Sequence, residues 1–233
     1  MRVTRRINWY SLSSMSKPII AIVGPSGSGK STSLRNLDPA TTVILDCECK
    51  GFPFAGSSKF NIKQIKTVMD FNRELKAALA DPAVTLIVIE SFTRLAFMIK
   101  SMSQQLNKGY DIWTVYAKMV REVLVNCKND RALIVFTAID HIVEIPQPDG
   151  SSVSKRMIGY EGQELGKQGG IEPDMLLVLF TDVRKDKLGV IQYQFETNND
   201  GVTTAKTPMG LFDGRFIAND LKLVVDAVNT KLT

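Results

Sequence analysis

Cysteine is scarce in this chain, with three in 233 residues. They stand at positions 47, 49 and 127. An odd number, with the first two a residue apart, makes neither a disulfide framework nor a complete zinc site. Reduced thiols are expected. Long apolar runs are missing as well: no stretch approaches the roughly eighteen residues of a membrane span. The N-terminus shows no apolar stretch leading to a small-residue cleavage site. A soluble, cytoplasmic protein with no membrane partner is therefore expected. No internal repeat is visible. The weakly hydrophobic, highly charged composition of disordered chains is also absent, since 44% of residues are hydrophobic and 23% charged, enough to build one sizeable core.

An acidic excess is lacking too. The chain has 29 Lys and Arg against 24 Asp and Glu, a net charge of +5. Residues 1–131 hold 19 basic and 10 acidic side chains, or +9, and residues 132–233 hold 10 and 14, or −4. A basic half suits a polyanionic partner, because Lys and Arg replace the counterions around phosphates. Composition alone fits a solvated surface better.

What is present is a regular alternation. Residues 1–16 are polar and aperiodic and read as a flexible basic arm carrying Arg2, Arg5 and Arg6, with Met15 as an alternative start. Residues 17–233 read as one domain. Apolar runs at 18–23, 41–46, 84–89 and 132–138 alternate with helical patterns at 30–37, 64–80, 91–106 and 111–127, as in a mostly parallel central sheet flanked by helices. The run 84–89 has no polar alternation, which suits a strand buried on both faces. Residues 141–172 hold six glycines and no sustained period, and so read as a long irregular loop of the kind that is functional or mobile. Runs at 175–181 and 189–197 flank the charged segment DVRKDKL and suggest a C-terminal antiparallel hairpin extending the sheet. An amphipathic helix through Leu221, Val224, Val225, Val228 and Leu232 closes the chain.

The segment GPSGSGKS, residues 24–31, fits the G-x-x-x-x-G-K-[ST] pattern directly after a strand and at the start of a helix. Glycines there let successive N–H groups curl around a phosphate. The cofactor-binding set is Gly24, Pro25, Ser26, Gly27, Ser28, Gly29, Lys30, Ser31 and Thr32. Lys30 is placed for the β- and γ-phosphates of ATP, Ser31 for Mg²⁺, and Thr32 for the α-phosphate. Such a loop also needs an acid at the end of a neighbouring strand. LIVIES, residues 86–91, offers Glu90, although Ser91 is also a good cap for the next helix. Asp is usual there. The longer Glu90 either reaches the metal from a retracted backbone or shares in activating water. Hydrolysis needs a base, and Asp46 and Glu48 follow the second strand; Glu48 is the candidate.

Walker A, then Leu45-Asp46-Cys47-Glu48, then Ile89-Glu90-Ser91 resemble the RecA-like recombinase ATPase core over about residues 17–225. Among its members the chain is most similar to the small phage-encoded single-strand annealing ATPases of the Sak-four type. The resemblance implies that Glu48 activates water and that Glu90, with Ser31, holds magnesium. It implies Lys206, in TAKTPMG, as a residue completing a neighbouring subunit's site with positive charge. Thr137-Ala138 stands where RecA-like proteins carry an amide-bearing γ-phosphate sensor, so ATP and DNA are expected to be coupled differently. His141 is either a substitute sensor or a loop histidine.

The function implied is an ATP-dependent phage DNA-recombination protein, in the host cytoplasm, that binds single-stranded DNA as a ring or filament homo-oligomer. A single-strand-binding protein is a further possible partner. Candidate DNA contacts are Lys155, Arg156 and Lys167 with the arm, although residues 140–172 also carry six acids, and Tyr160 is the one stacking aromatic there. Two other classes use the same loop: a small-molecule kinase, and a non-hydrolysing nucleotide-dependent adaptor. The Lys-dominated region between the second and third strands, with Lys59, Lys63 and Lys66, lacks the several arginines of a kinase lid.

Overall fold

The computed structural model describes residues 16–167 and 169–232. The arm, including Arg2, Arg5 and Arg6, lies outside them apart from its last residue.

The chain runs β1 (Ile19–Val23), β2 (Thr42–Asp46), β3 (Asn61–Gln64), α1 (Val68–Ala80), β4 (Leu86–Glu90), α2 (Phe92–Leu106), α3 (Asp111–Cys127) and β5 (Leu133–Ala138). It continues through β6 (Asp140–Pro146), β7 (Ser152–Ile158), α4 (Gln163–Lys167), β8 (Leu177–Lys185), β9 (Ile191–Glu196), β10 (Phe216–Ala218) and α5 (Leu221–Lys231). One eight-stranded sheet has the order β10-β9-β8-β1-β5-β4-β2-β3. The pairs from β8 through to β3 are parallel, and β8–β9 and β9–β10 are antiparallel. This is the expected α/β architecture with its C-terminal antiparallel extension. β1, β2, β4 and β5 are buried along their whole length, the reason they read as continuous apolar runs.

Alternate residues of these strands feed two cores. Ala21, Val23, Leu45, Ile87, Ile89 and Phe136 pack with α1, α2 and α3 on one face. Ile20, Ile22, Ile44, Val88 and Val135 pack with α5 on the other. α3 begins and ends where its stripe does, burying Tyr116, Val120, Val123 and Leu124. Cys47, Cys49 and Cys127 are free thiols.

Three local expectations need correction. The helix after the glycine-rich turn is a six-residue 3-10 helix, Ser31–Asn36. Residues 64–80 are not one helix: Gln64 ends β3, an edge strand with exposed polar residues. α1 starts four residues later, capped by Thr67, which accepts from Asp70 N–H while Asp70 accepts from Thr67 N–H, a capping box. Residues 141–172 are not irregular, since β6 and β7 form a separate two-stranded hairpin followed by α4. Beyond the expected hairpin, β10 adds a short strand at the far edge of the sheet.

Candidate functional site

The carboxyl ends of β1, β2 and β4 open on one side of the sheet, with β5 between β1 and β4. The loop after β1 turns so tightly that a Cβ on Gly24 would lie 1.7 Å from Thr181 Oγ1. Thr181 in turn donates to Val23 O at 3.1 Å or to Ser28 Oγ at 2.6 Å, tying β8 to the loop. Gly29 has φ +91°, and a side chain there would meet Tyr193 at 3.0 Å and the Asn219 amide at 3.2 Å. Only glycine satisfies both positions.

Lys30 is buried, and its ammonium donates to Gly24 O at 2.7 Å and Pro25 O at 2.8 Å. Three hydrogens serve two carbonyls, which leaves one for a ligand. Burial pulls its pKa below the usual lysine value, against the attraction of Glu90 and Asp140. Ser31 Oγ donates to Glu90 Oε1 at 2.7 Å, joining the loop to the end of β4. Glu90 is 4% exposed, and burial raises its pKa above the ordinary carboxyl value although Thr137, Ser31 and Lys30 oppose the rise. The Thr137 hydroxyl is near enough to contribute to that opposition, yet neither it nor Glu90 Oε2 finds a hydrogen-bond partner of good geometry.

Glu48 sits one turn beyond β2. Asp46 Oδ1 accepts from the amides of Glu48 and Cys49 at 3.0 and 2.9 Å, so Asp46 shapes the turn while Glu48 projects from it. Glu48 Oε1 accepts from Ser91 Oγ at 2.7 Å, and Oε2 pairs with Lys50 Nζ at 3.3 Å. Burial works to raise the Glu48 carboxyl, but the Ser91 hydroxyl, Lys50 and Arg94 outweigh it and hold it below its ordinary value. Two acids a strand apart thus differ in proton affinity, Glu90 held high and Glu48 low.

These groups line one cleft of about 710 Å³, with Gly27, Gly29, Lys30, Ser31, Thr32, Glu48, Lys50 and Glu90 among its walls. The structure therefore brings Lys30, Ser31, Glu48 and Glu90 together. The residues fit magnesium and a triphosphate: Ser31 Oγ and the partnerless Glu90 Oε2 supply hard oxygen ligands, and Lys30 supplies the cation beside them. Lys50 was not singled out in the sequence, where a lysine two residues after a glutamate resembles any surface pair.

Other candidates lie elsewhere. Lys206 Nζ donates to Glu172 O at 2.7 Å within the same chain. Arg156 pairs with Asp140 at 2.7 Å and lies over the Phe180 ring, while Lys155 is half-buried on β7 and Lys167 is exposed on α4. Tyr160 is half-buried and packs against the main core. His141 stands on β6 and lines a small separate cavity with Thr93, Tyr116 and Tyr160.

A glycine-rich turn between a strand and a helical turn, its lysine, the following hydroxyl and an acid at a neighbouring strand end define a P-loop nucleotide-binding ATPase, here on a mostly parallel α/β sheet flanked by helices. The chain belongs to the AAA domain family, whose pattern matches residues 16–209. Among solved structures it is similar to the RadB recombinase, at 14% identity over 82% of this chain and 92% of that one, with a TM-score of 0.43. It is similar also to a KaiC-like protein of the hyperthermophilic archaeon Pyrococcus horikoshii OT3, at 13% identity over 76% and 77%, with a TM-score of 0.43. Comparison with curated protein sequences finds no match. Among the described residues no helix is long and apolar enough to cross a membrane.

Proposed function

We propose that the chain hydrolyses ATP to ADP and phosphate, and that this turnover serves phage-type DNA recombination through single-stranded DNA bound by a homo-oligomer. One observation carries the catalytic part: the loop lysine, its hydroxyl neighbour and two carboxylates of opposite pKa displacement share a single cleft. Glu48, held below its ordinary value, is ionised at neutral pH and lines the cleft as the group that takes a proton from water as that water attacks the γ-phosphorus. The bond from the γ-phosphorus to the bridging oxygen then breaks, and Lys30 stabilises the charge that collects there. Ser31 and Glu90 would hold Mg²⁺, which would supply positive charge against the negative charge of the phosphates.

The DNA part rests on the recombinase resemblance and, for the arm, on the +9 charge of residues 1–131, to which Lys155 and Lys167 do not contribute. Lys155 and Lys167 are its best-placed phosphate contacts among the described residues, because Arg156 is committed to Asp140. Lys206 reaches a neighbour's γ-phosphate only by leaving Glu172 O, so subunit assembly must supply that exchange. ATP acts as the switch for assembly and its hydrolysis releases the DNA.

Incubation with ATP and Mg²⁺, with and without single-stranded DNA, tests the proposal. Phosphate release stimulated by DNA supports it. Transfer of phosphate to a small acceptor indicates a kinase, and binding without turnover indicates a nucleotide-dependent adaptor.

A further inference from the structure

Two of the described residues lining the cleft are cations, Lys30 and Lys50, and they face two carboxylates, Glu48 and Glu90. The walls are therefore neutral overall before a nucleotide enters. A triphosphate differs from a diphosphate by its terminal group, and Lys30, bound by Gly24 O and Pro25 O, is held at the root of the loop. Lys50 is the other cation available. Its side chain is 61% exposed, on a flexible four-carbon stem, at the mouth formed by Gly51, Phe52 and Pro53. Among the described residues its ammonium pairs with Glu48 Oε2 at 3.3 Å.

With Ser91 on Oε1 and Lys50 on Oε2, both oxygens of Glu48 are engaged. A carboxylate so held is a poor proton acceptor, since the groups that stabilise its charge also lower its basicity. An anionic γ-phosphate offers Lys50 more charge than one carboxylate does. We propose that Lys50 is the γ-phosphate-sensing residue of this chain: ATP draws its ammonium from Glu48 to the terminal phosphate, and that exchange frees Glu48 Oε2 for the attacking water. ADP offers no such partner, so Lys50 stays on Glu48. The device works within one subunit, independently of Lys206. It rests on the nucleotide reading of the cleft.

The test is calorimetric titration of ADP and of a non-hydrolysable ATP analogue, with Mg²⁺, into wild type, Lys50→Ala, Lys50→Arg and Glu48→Gln. Loss of one charge-assisted contact should weaken the ATP analogue roughly tenfold in Lys50→Ala and leave ADP within about twofold. Lys50→Arg should retain most of the preference for the triphosphate. Glu48→Gln, which removes the competing carboxylate, should bind the ATP analogue more tightly with ADP unchanged, and this gain should vanish when Lys50→Ala is added. Equal weakening of both nucleotides in Lys50→Ala, or an unchanged preference, overturns the role of Lys50 while the nucleotide site stands. A wild-type protein that binds neither nucleotide overturns both.

Discussion

Ser91 donates its hydroxyl hydrogen to Glu48 Oε1 at 2.7 Å while its oxygen accepts from Arg94 N–H at 3.3 Å, so the cap of α2 also orients the proposed base. Ser91→Ala removes both. The cap should cost about 1 kcal/mol of stability, seen as a lower melting temperature. Turnover should fall through kcat while KM for ATP changes little, because Glu48 loses its alignment and Lys30 does not. Ser91→Thr, which keeps the hydroxyl, should recover most of both. A lowered melting temperature with unchanged kcat would show that Ser91 is a cap alone.

Burial holds the Glu90 carboxyl above its ordinary value of 4.5. The folded chain keeps that proton to higher pH than the unfolded chain does. Between the two values the native state binds more protons, so stability of the nucleotide-free protein declines as pH rises through this window. Glu48 is displaced the other way and contributes below 4.5, where its stabilisation is lost as pH falls. Melting temperature measured from pH 4.5 upward should therefore fall less steeply in Glu90→Gln than in wild type. Parallel curves would place the titration elsewhere.

Gly24 has no room for a methyl group, with Thr181 Oγ1 at 1.7 Å from its Cβ position and Ser28 Oγ at 2.9 Å. Gly24→Ala should push the loop off β8, costing about 1–3 kcal/mol as overpacking does, and should abolish nucleotide binding. Adding Thr181→Ala should recover part of the stability, because Thr181 Cβ itself stands 3.1 Å away. No recovery would mean the glycine is needed for backbone conformation instead.

The glycine-rich loop, Glu48 and Glu90 were legible because chemistry fixes their residue types and strands buried on both faces announce their own ends. The β6–β7 hairpin was not. Its pairs, such as Val143 with Lys155 and Ile142 with Arg156, leave Ile142 71% exposed, and without a buried face there is no alternation to read. β3 was hidden for the same reason, with Asn61, Lys63 and Gln64 exposed on the sheet edge. The start of α1 was legible in the Thr67–Asp70 capping box, a signal that the apolar spacing of Ile65 masked. The 3-10 form of Ser31–Asn36 reflects tertiary anchoring, where Arg35 reaches Asn219 O at 2.8 Å and Asn36 reaches Asp220 at 2.7 Å. Those partners lie more than 180 residues away.

DNA binding through Lys155 and Lys167 should be electrostatic. Affinity for single-stranded DNA should fall as salt rises, with a log–log slope of about −0.7 for each phosphate neutralised. Lys155→Ala and Lys167→Ala should each make the slope shallower, while Arg156→Ala should mainly lower the melting temperature by releasing Asp140. A flat salt response in fluorescence anisotropy would remove DNA as a partner of this surface.

The central claim is that one cleft binds MgATP and uses Glu48 to hydrolyse it. The direct measurement compares ATP binding and phosphate release in wild type and Glu48→Gln at saturating ATP and Mg²⁺. The account predicts that the variant binds ATP at least as well as wild type and releases phosphate at least about a hundredfold more slowly. Turnover by Glu48→Gln within a few-fold of wild type would contradict it.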